Sequence, residues 1–190
     1  MIYESKYSPL ITHNAQQHIH NWNQCQLCTI GKECHKHLLW RGHMPCDILF
    51  IGDAPSLVDD SLGYAFTGPP GNLLQAIINI LVTDSIINTY ALTNIVACLP
   101  QTNGKLRHTS KKETENCKPR LLEFIRLASP AFIVTLGKIA QRNLPQLEGS
   151  YIVENIEHPT SVLTKFDPNA SHIYILRTVA KLKHMIESNT

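Results

Sequence analysis

The feature that most constrains the fold of this 190-residue chain is the run Asp47-Ile48-Leu49-Phe50-Ile51, followed at once by Gly52-Asp53-Ala54-Pro55-Ser56. A short continuous apolar run closed by a turn fits a strand buried on both faces, as in a parallel sheet. Strand-like runs recur at 90–96 and 131–136, with helical patterns between them at 71–83 and 115–128. This alternation calls for a parallel sheet covered by helices. In open sheets of that kind, ligands bind beyond the carboxyl ends of the strands. The loops there carry an acid (Asp53), an aromatic (Phe66), an amide (Asn94) and a histidine (His158). Four loops therefore look set to assemble one pocket.

The remaining length adds little that departs from one ordinary domain. Hydrophobic residues make up 43% and charged residues 17%, a globular balance. No apolar run approaches the roughly 18 residues of a membrane span, and the start of the chain lacks the layout of a signal peptide. A cytosolic protein, monomeric and free of the membrane, is expected. Residues 1–24 read as a polar lead-in with marginal structure, 25–46 as loop, and 25–190 as the domain proper, closing on an amphipathic segment from Leu176 to Ile186. The net charge of +2 neither demands nor excludes nucleic acid. Lys105, Arg107, His108, Lys111 and Lys112 do cluster, either as a solvated loop or as a set of phosphate contacts.

Six cysteines are present. Cys25 and Cys28 have the spacing by which two thiolates grip one metal from a tight turn, and Cys98 and Cys117 could close the shell from elsewhere in the fold. In a reducing compartment such a set points to a metal site before a disulfide framework. Spacing alone leaves zinc and a four-iron cluster open, because both accept four cysteines. Cys98, beside a buried strand, could also be a plain core residue. Cys34 and Cys46 are left over, and either could replace one of the four.

Taken in order, Gly52-Asp53-Ala54-Pro55-Ser56, Phe66-Thr67-Gly68-Pro69-Pro70-Gly71, Thr93-Asn94, Cys98, Cys117 and His158-Pro159-Thr160-Ser161 resemble the uracil-DNA glycosylase superfamily, closest to its iron–sulfur branch, family 4. The resemblance covers roughly residues 25 to 165. It implies one three-layer α/β domain with a central parallel sheet of four strands. It implies a monofunctional enzyme that hydrolyses the N-glycosidic bond of uracil in DNA and leaves an abasic site. A [4Fe–4S] cluster would sit on Cys25, Cys28, Cys98 and Cys117 in a structural role, with zinc as the alternative. Phe66 would stack on the extruded base, Asn94 would read its edge and reject cytosine, and Gly52 and Ala54 would border it. His158 would donate to the charge developing on uracil O2, and Asp53 would position water.

Two acids depart from the pattern. The branch has Glu where Asp53 stands, so the carboxylate reaches about 1.5 Å less. Asp59 likewise shortens the first acid of a Glu-Asp pair that shapes the space around the base C5 atom, which opens selectivity for 5-modified pyrimidines. A related branch carries a basic loop ending in a histidine that becomes covalently linked to deoxyribose. The stretch Lys105-Leu106-Arg107-His108 is shorter and lacks the isoleucine of that loop. A glycosylase-like protein that binds DNA or a partner without cutting is the reading from another class.

Overall fold

The computed structural model describes residues 13–190 apart from 166 and 168. The elements run α1 (His13–Trp22), α2 (Thr29–Glu33), β1 (Arg41–Gly42), β2 (Ile48–Gly52), α3 (Leu57–Leu62), α4 (Pro69–Thr83), β3 (Tyr90–Asn94), β4 (Gln101–Thr102) and β5 (Lys105–Leu106). They continue with α5 (Lys111–Ala128), β6 (Phe132–Leu136), α6 (Gly137–Asn143), β7 (Ile152–Ile156), α7 (Pro159–Leu163) and α8 (Ala170–Glu187). No helix among the described residues is long and apolar enough to cross a membrane.

The central sheet has five strands in the order β1-β3-β2-β6-β7. Four are parallel, with Gly52 opposite Asn94 and Ile51 opposite both Thr93 and Thr135. The expected four-stranded sheet is therefore corrected to five, because β1 adds an antiparallel edge on β3. At two residues, β1 is too short to show any periodicity. Side chains alternate across β2. Ile48 and Phe50 enter one apolar core with Leu74, Ile77 and Leu81 of α4 and Leu182 of α8. Leu49 and Ile51 enter the other with Leu121, Phe124 and Ala128 of α5. Helices thus cover both faces, and three layers result.

Local chemistry sets the helix limits. Helix α4 starts at Pro69, two residues before the apolar pattern, since proline at the first turn loses no needed N–H. Helix α5 starts four residues earlier than its apolar pattern because Ser110 and Glu113 form a capping box. The lead-in contains α1, which packs along α5 through His18 and Glu123, 2.8 Å apart. Buried at 0% exposure, His18 has its pKa pushed down to about 4, chiefly by desolvation.

One polar residue stands apart in this core. Arg120 on α5 is 1% exposed. Its guanidinium donates to the carbonyls of Asn94 (2.5 Å) and Ile95 (2.9 Å), to the Thr93 hydroxyl (2.8 Å) and to the Leu39 carbonyl (3.3 Å). The end of β3, the segment before β1 and α5 meet on this single cation. Burial of a charge is tolerated where most of its donors are met, and bonds to charged groups contribute about 1.5–3 kcal/mol each. Arg120→Met keeps most of the volume and strands these acceptors. It should lower unfolding free energy by about 3 kcal/mol, read from the urea midpoint; an unchanged midpoint would show that water replaces the guanidinium at no cost.

Candidate functional site

The strand order turns at β2, with β3 on one side and β6 on the other, so the chain leaves these strands in opposite directions. A crevice opens at such a point. Here it is a cleft of about 770 Å³ lined by Asp53 and Ala54 after β2, Gly137 after β6, His158 and Ser161 at the start of α7, and His108. Gly137 sits at φ +84°, and a Cβ there would come within 2.9 Å of the His158 Cβ. Glycine is what lets the β6–α6 turn back against the histidine.

His158 is the N-cap of α7, and the Thr160 backbone N–H donates to its Nδ1 at 3.2 Å. With Nδ1 accepting, the ring proton lies on Nε2. Burial pushes the His158 pKa down, which keeps the ring neutral. Asp53 is half-buried, and desolvation raises its pKa. The Thr109 hydroxyl, which donates to Oδ1 at 3.2 Å, and the charge of His108 oppose that rise. The hairpin β4–β5 delivers both residues. Arg107 holds its exit by donating to Thr102, to the His108 carbonyl and to both Glu113 oxygens. That pairing holds the Glu113 carboxyl down at about 2. Neither the brace nor Thr109 was visible in the basic cluster read from sequence.

Gly52, Phe66 and Asn94 meet one another beside this cleft. A Cβ on Gly52 would overlap the Asn94 amide oxygen and reach within 2.9 Å of the Phe66 ring. Asn94 is 2% exposed. Phe66 adopts φ +60°, rare for an aromatic. The structure secures it from three sides. Gly71 leaves room for its carbonyl, which a Cβ there would overlap. Arg41 donates to that same carbonyl at 3.2 Å. Asp59 accepts from the Thr67 N–H and hydroxyl through Oδ1, and from the Ser56 N–H and hydroxyl through Oδ2. The Asp59 carboxylate is thus committed to the α3 cap and the Phe66 loop, and acts on the pocket through them.

The four cysteines singled out, Cys25, Cys28, Cys98 and Cys117, line one chamber between α1, α2 and α5. Gly31 makes this possible: a Cβ there would sit 2.9 Å from the Cys25 carbonyl and 3.5 Å from the Cys28 sulfur. Two buried N–H donors without a partner among the described residues, Trp22 Nε1 and Arg120 Nε, belong to residues lining the same chamber. Thiols together with orphaned donors suit an occupant rich in negative charge. Cys46 lies elsewhere, in the core beside Ala91 and Ala128, its thiol pushed up to about 12 by burial. Cys34 does not stand apart: its sulfur is 3.3 Å from that of Cys98 and close to His37, and these three form a compact group able to hold a metal ion.

The sequence model of the Uracil DNA glycosylase superfamily matches residues 41–183, and the chain belongs to that superfamily. It is similar to the type-4 uracil-DNA glycosylase of Pyrobaculum aerophilum, 30% identical over 66% of this chain and 61% of that one. The type-4 uracil-DNA glycosylase of Saccharolobus solfataricus is 33% identical over 60% and 51%. That of Archaeoglobus fulgidus is 31% identical over 65% and 61%. The match spans about half to three fifths of the length of these curated relatives.

The packing around Phe66 makes Gly71 the most sensitive glycine of the pocket. Gly71→Ala should lower stability by about 1–3 kcal/mol through overpacking, measured by urea denaturation. A wild-type midpoint would mean that the Phe66 loop moves freely.

Proposed function

We propose that the chain is a monofunctional uracil-DNA glycosylase, which hydrolyses the N-glycosidic bond of uracil in DNA and leaves an abasic site. The observation that carries this reading is the proton inventory of the cleft. A neutral histidine, its proton held on Nε2 by Thr160, shares the cleft with a carboxylate. Cutting this bond needs a donor for the oxygen that gains charge and a negative group near a sugar that gains positive charge.

The base leaves the duplex stack and enters the pocket. The Phe66 ring stacks on it, and the Asn94 amide, offering one donor and one acceptor, matches uracil and mismatches the reversed pattern of cytosine. As the bond to C1′ lengthens, negative charge collects on uracil O2, and His158 Nε2–H donates to it without giving up its proton. Asp53 is ionised in this account; it faces the cationic sugar and orients the water that attacks C1′. Thr109 holds that carboxylate in place. The departing base takes the bonding electrons, and the attacking water loses its proton to solvent. Lys138 also lines the cleft; in the proposed reaction water, not an amine, attacks the sugar, so the strand stays uncut.

The donor set of the chamber fits a [4Fe–4S] cluster on Cys25, Cys28, Cys98 and Cys117. A single zinc holds thiolates at about 2.3 Å, hence about 3.8 Å apart. Among the described residues no three of these four sulfurs gather within 4.8 Å of one another, a spread suited to a polynuclear centre. When bound, the cluster supplies a cross-link between the N-terminal segment and α5, and no redox chemistry for excision. The partner is DNA containing uracil, met by the α7 hydroxyls and the Lys105–Lys112 stretch, and the protein acts as a monomer in the cytosol.

Two measurements test this. In single-turnover excision, His158→Ala should lose roughly 10²–10³ in rate, the usual cost of one oxyanion donor, with little change in affinity for uracil-containing DNA. Asp53→Asn should also slow the step; excision as fast as wild type would make that acid structural. Protein purified without oxygen should be brown, with broad absorption near about 400 nm. Replacing Cys117 by Ala should abolish the colour, and colourless wild-type protein holding one zinc would contradict the cluster.

A further inference from the structure

Asn155 on β7 lines the cleft together with Gly137 and His158, and the excision chemistry gives it no task of its own. One end of its side-chain amide faces three oxygens: the Thr135 hydroxyl at 3.0 Å, the Thr135 carbonyl at 3.2 Å and the Gly137 carbonyl at 3.1 Å. Carbonyls only accept, so the end that faces them is the nitrogen. Nδ2 therefore donates to all three, its two N–H groups shared among them. The Thr135 hydroxyl directs its own proton to the Glu154 carbonyl, 3.3 Å away, and keeps its lone pairs for Asn155.

Thr135 lies opposite Asn155 in the sheet, so two of these bonds join neighbouring strands. The third leaves the sheet and takes hold of the β6–α6 turn. Turn and histidine are so close that a Cβ on Gly137 would come within 2.9 Å of the His158 Cβ. Movement of the one displaces the other. Asn155 is itself fixed from α8: its carbonyl accepts from Lys181 Nζ at 2.8 Å, its N–H donates to Glu154 Oε1 at 2.7 Å, and Lys181 and Glu154 pair at 3.0 Å.

We propose that Asn155 is a positioning residue for His158: by holding the Gly137 carbonyl it sets the wall against which the histidine rests, and with it the placement of Nε2–H at uracil O2. This rests on the reading of His158 as the donor to the leaving base. The histidine is then held at its ring by the Thr160 N–H and at its Cβ by the turn. Asn155 touches neither base nor sugar, and acts only through His158.

The test is a double-mutant cycle in single-turnover excision, with affinity for uracil-containing DNA measured on the same proteins. Asn155→Leu fills the space without a donor, and Asn155→Asp keeps the shape while turning the donor into an acceptor. Each should slow the chemical step at least about tenfold, since misplacement by about 1 Å can cost about 10²-fold, with affinity nearly unchanged. Placed on top of His158→Ala, Asn155→Leu should cost less than about threefold more, the non-additivity of residues that act as one unit. Asn155 is half-buried on an edge strand, and the two substitutions are read independently, so a folding defect in one leaves the other decisive. The proposal is overturned if both variants excise as fast as wild type while His158→Ala is slow, or if Asn155→Leu costs as much without the histidine as with it. A His158→Ala protein with wild-type excision would instead overturn the excision reading on which the proposal stands.

Discussion

The buried guanidinium of Arg120 is the contact on which the two functional regions of this molecule depend. It grips the carbonyls of Asn94 and Ile95 and the hydroxyl of Thr93, and Arg120 also lines the cysteine chamber. The end of β3 is therefore held from behind by α5 while its Asn94 side chain meets Gly52 and Phe66 in front. Ile95 and Val96 then donate to the carbonyls of Gly52 and Asp53, so the strand end that carries the amide also fixes the loop that carries the acid. A neutral side chain at 120 could fill the space but could not serve four acceptors at once. A cation buried this deeply calls for negative charge nearby. The thiolate-held centre proposed for the chamber would supply it.

The cleft divides its labour by environment. The proposed excision asks His158 to remain neutral and to donate from one nitrogen, and burial plus a single helix N–H favour both. The proposed excision asks Asp53 to carry charge, and it lies where desolvation works against charge. The Thr109 hydroxyl and His108 offset that cost, and both arrive on a hairpin that the Arg107–Glu113 pair holds to the start of α5. The shorter acid thus comes with local support from a loop that the sequence offered only as a basic run.

Much of this architecture was legible in the sequence because it rests on short-range signals. The run at 47–52 declared a doubly buried strand, and the loops after β2 and β7 carry Asp53 and His158, which line the cleft. What escaped notice depends on contacts between distant segments or on elements too short to show a period. Strand β1 is two residues long. Strand β7, at the sheet edge, carries exposed Val153 and a charged Glu154, so its pattern is mixed. Ser110 and Glu113 did spell a capping box, and reading it would have started α5 at its true first turn. Arg120 looks in sequence like any helix-surface arginine, and only the fold buries it. Cys34 and His37 share a spacing of three residues, but their nearness to Cys98 comes from packing across 64 positions.

The most direct test of this account is to measure uracil excision and iron content on the same preparations of wild-type and Arg120→Met protein. If one cation holds the pocket and the chamber together, the variant loses excision rate and bound iron in parallel. An Arg120→Met protein that keeps full excision with a depleted cluster, or a full cluster with full excision, would contradict it.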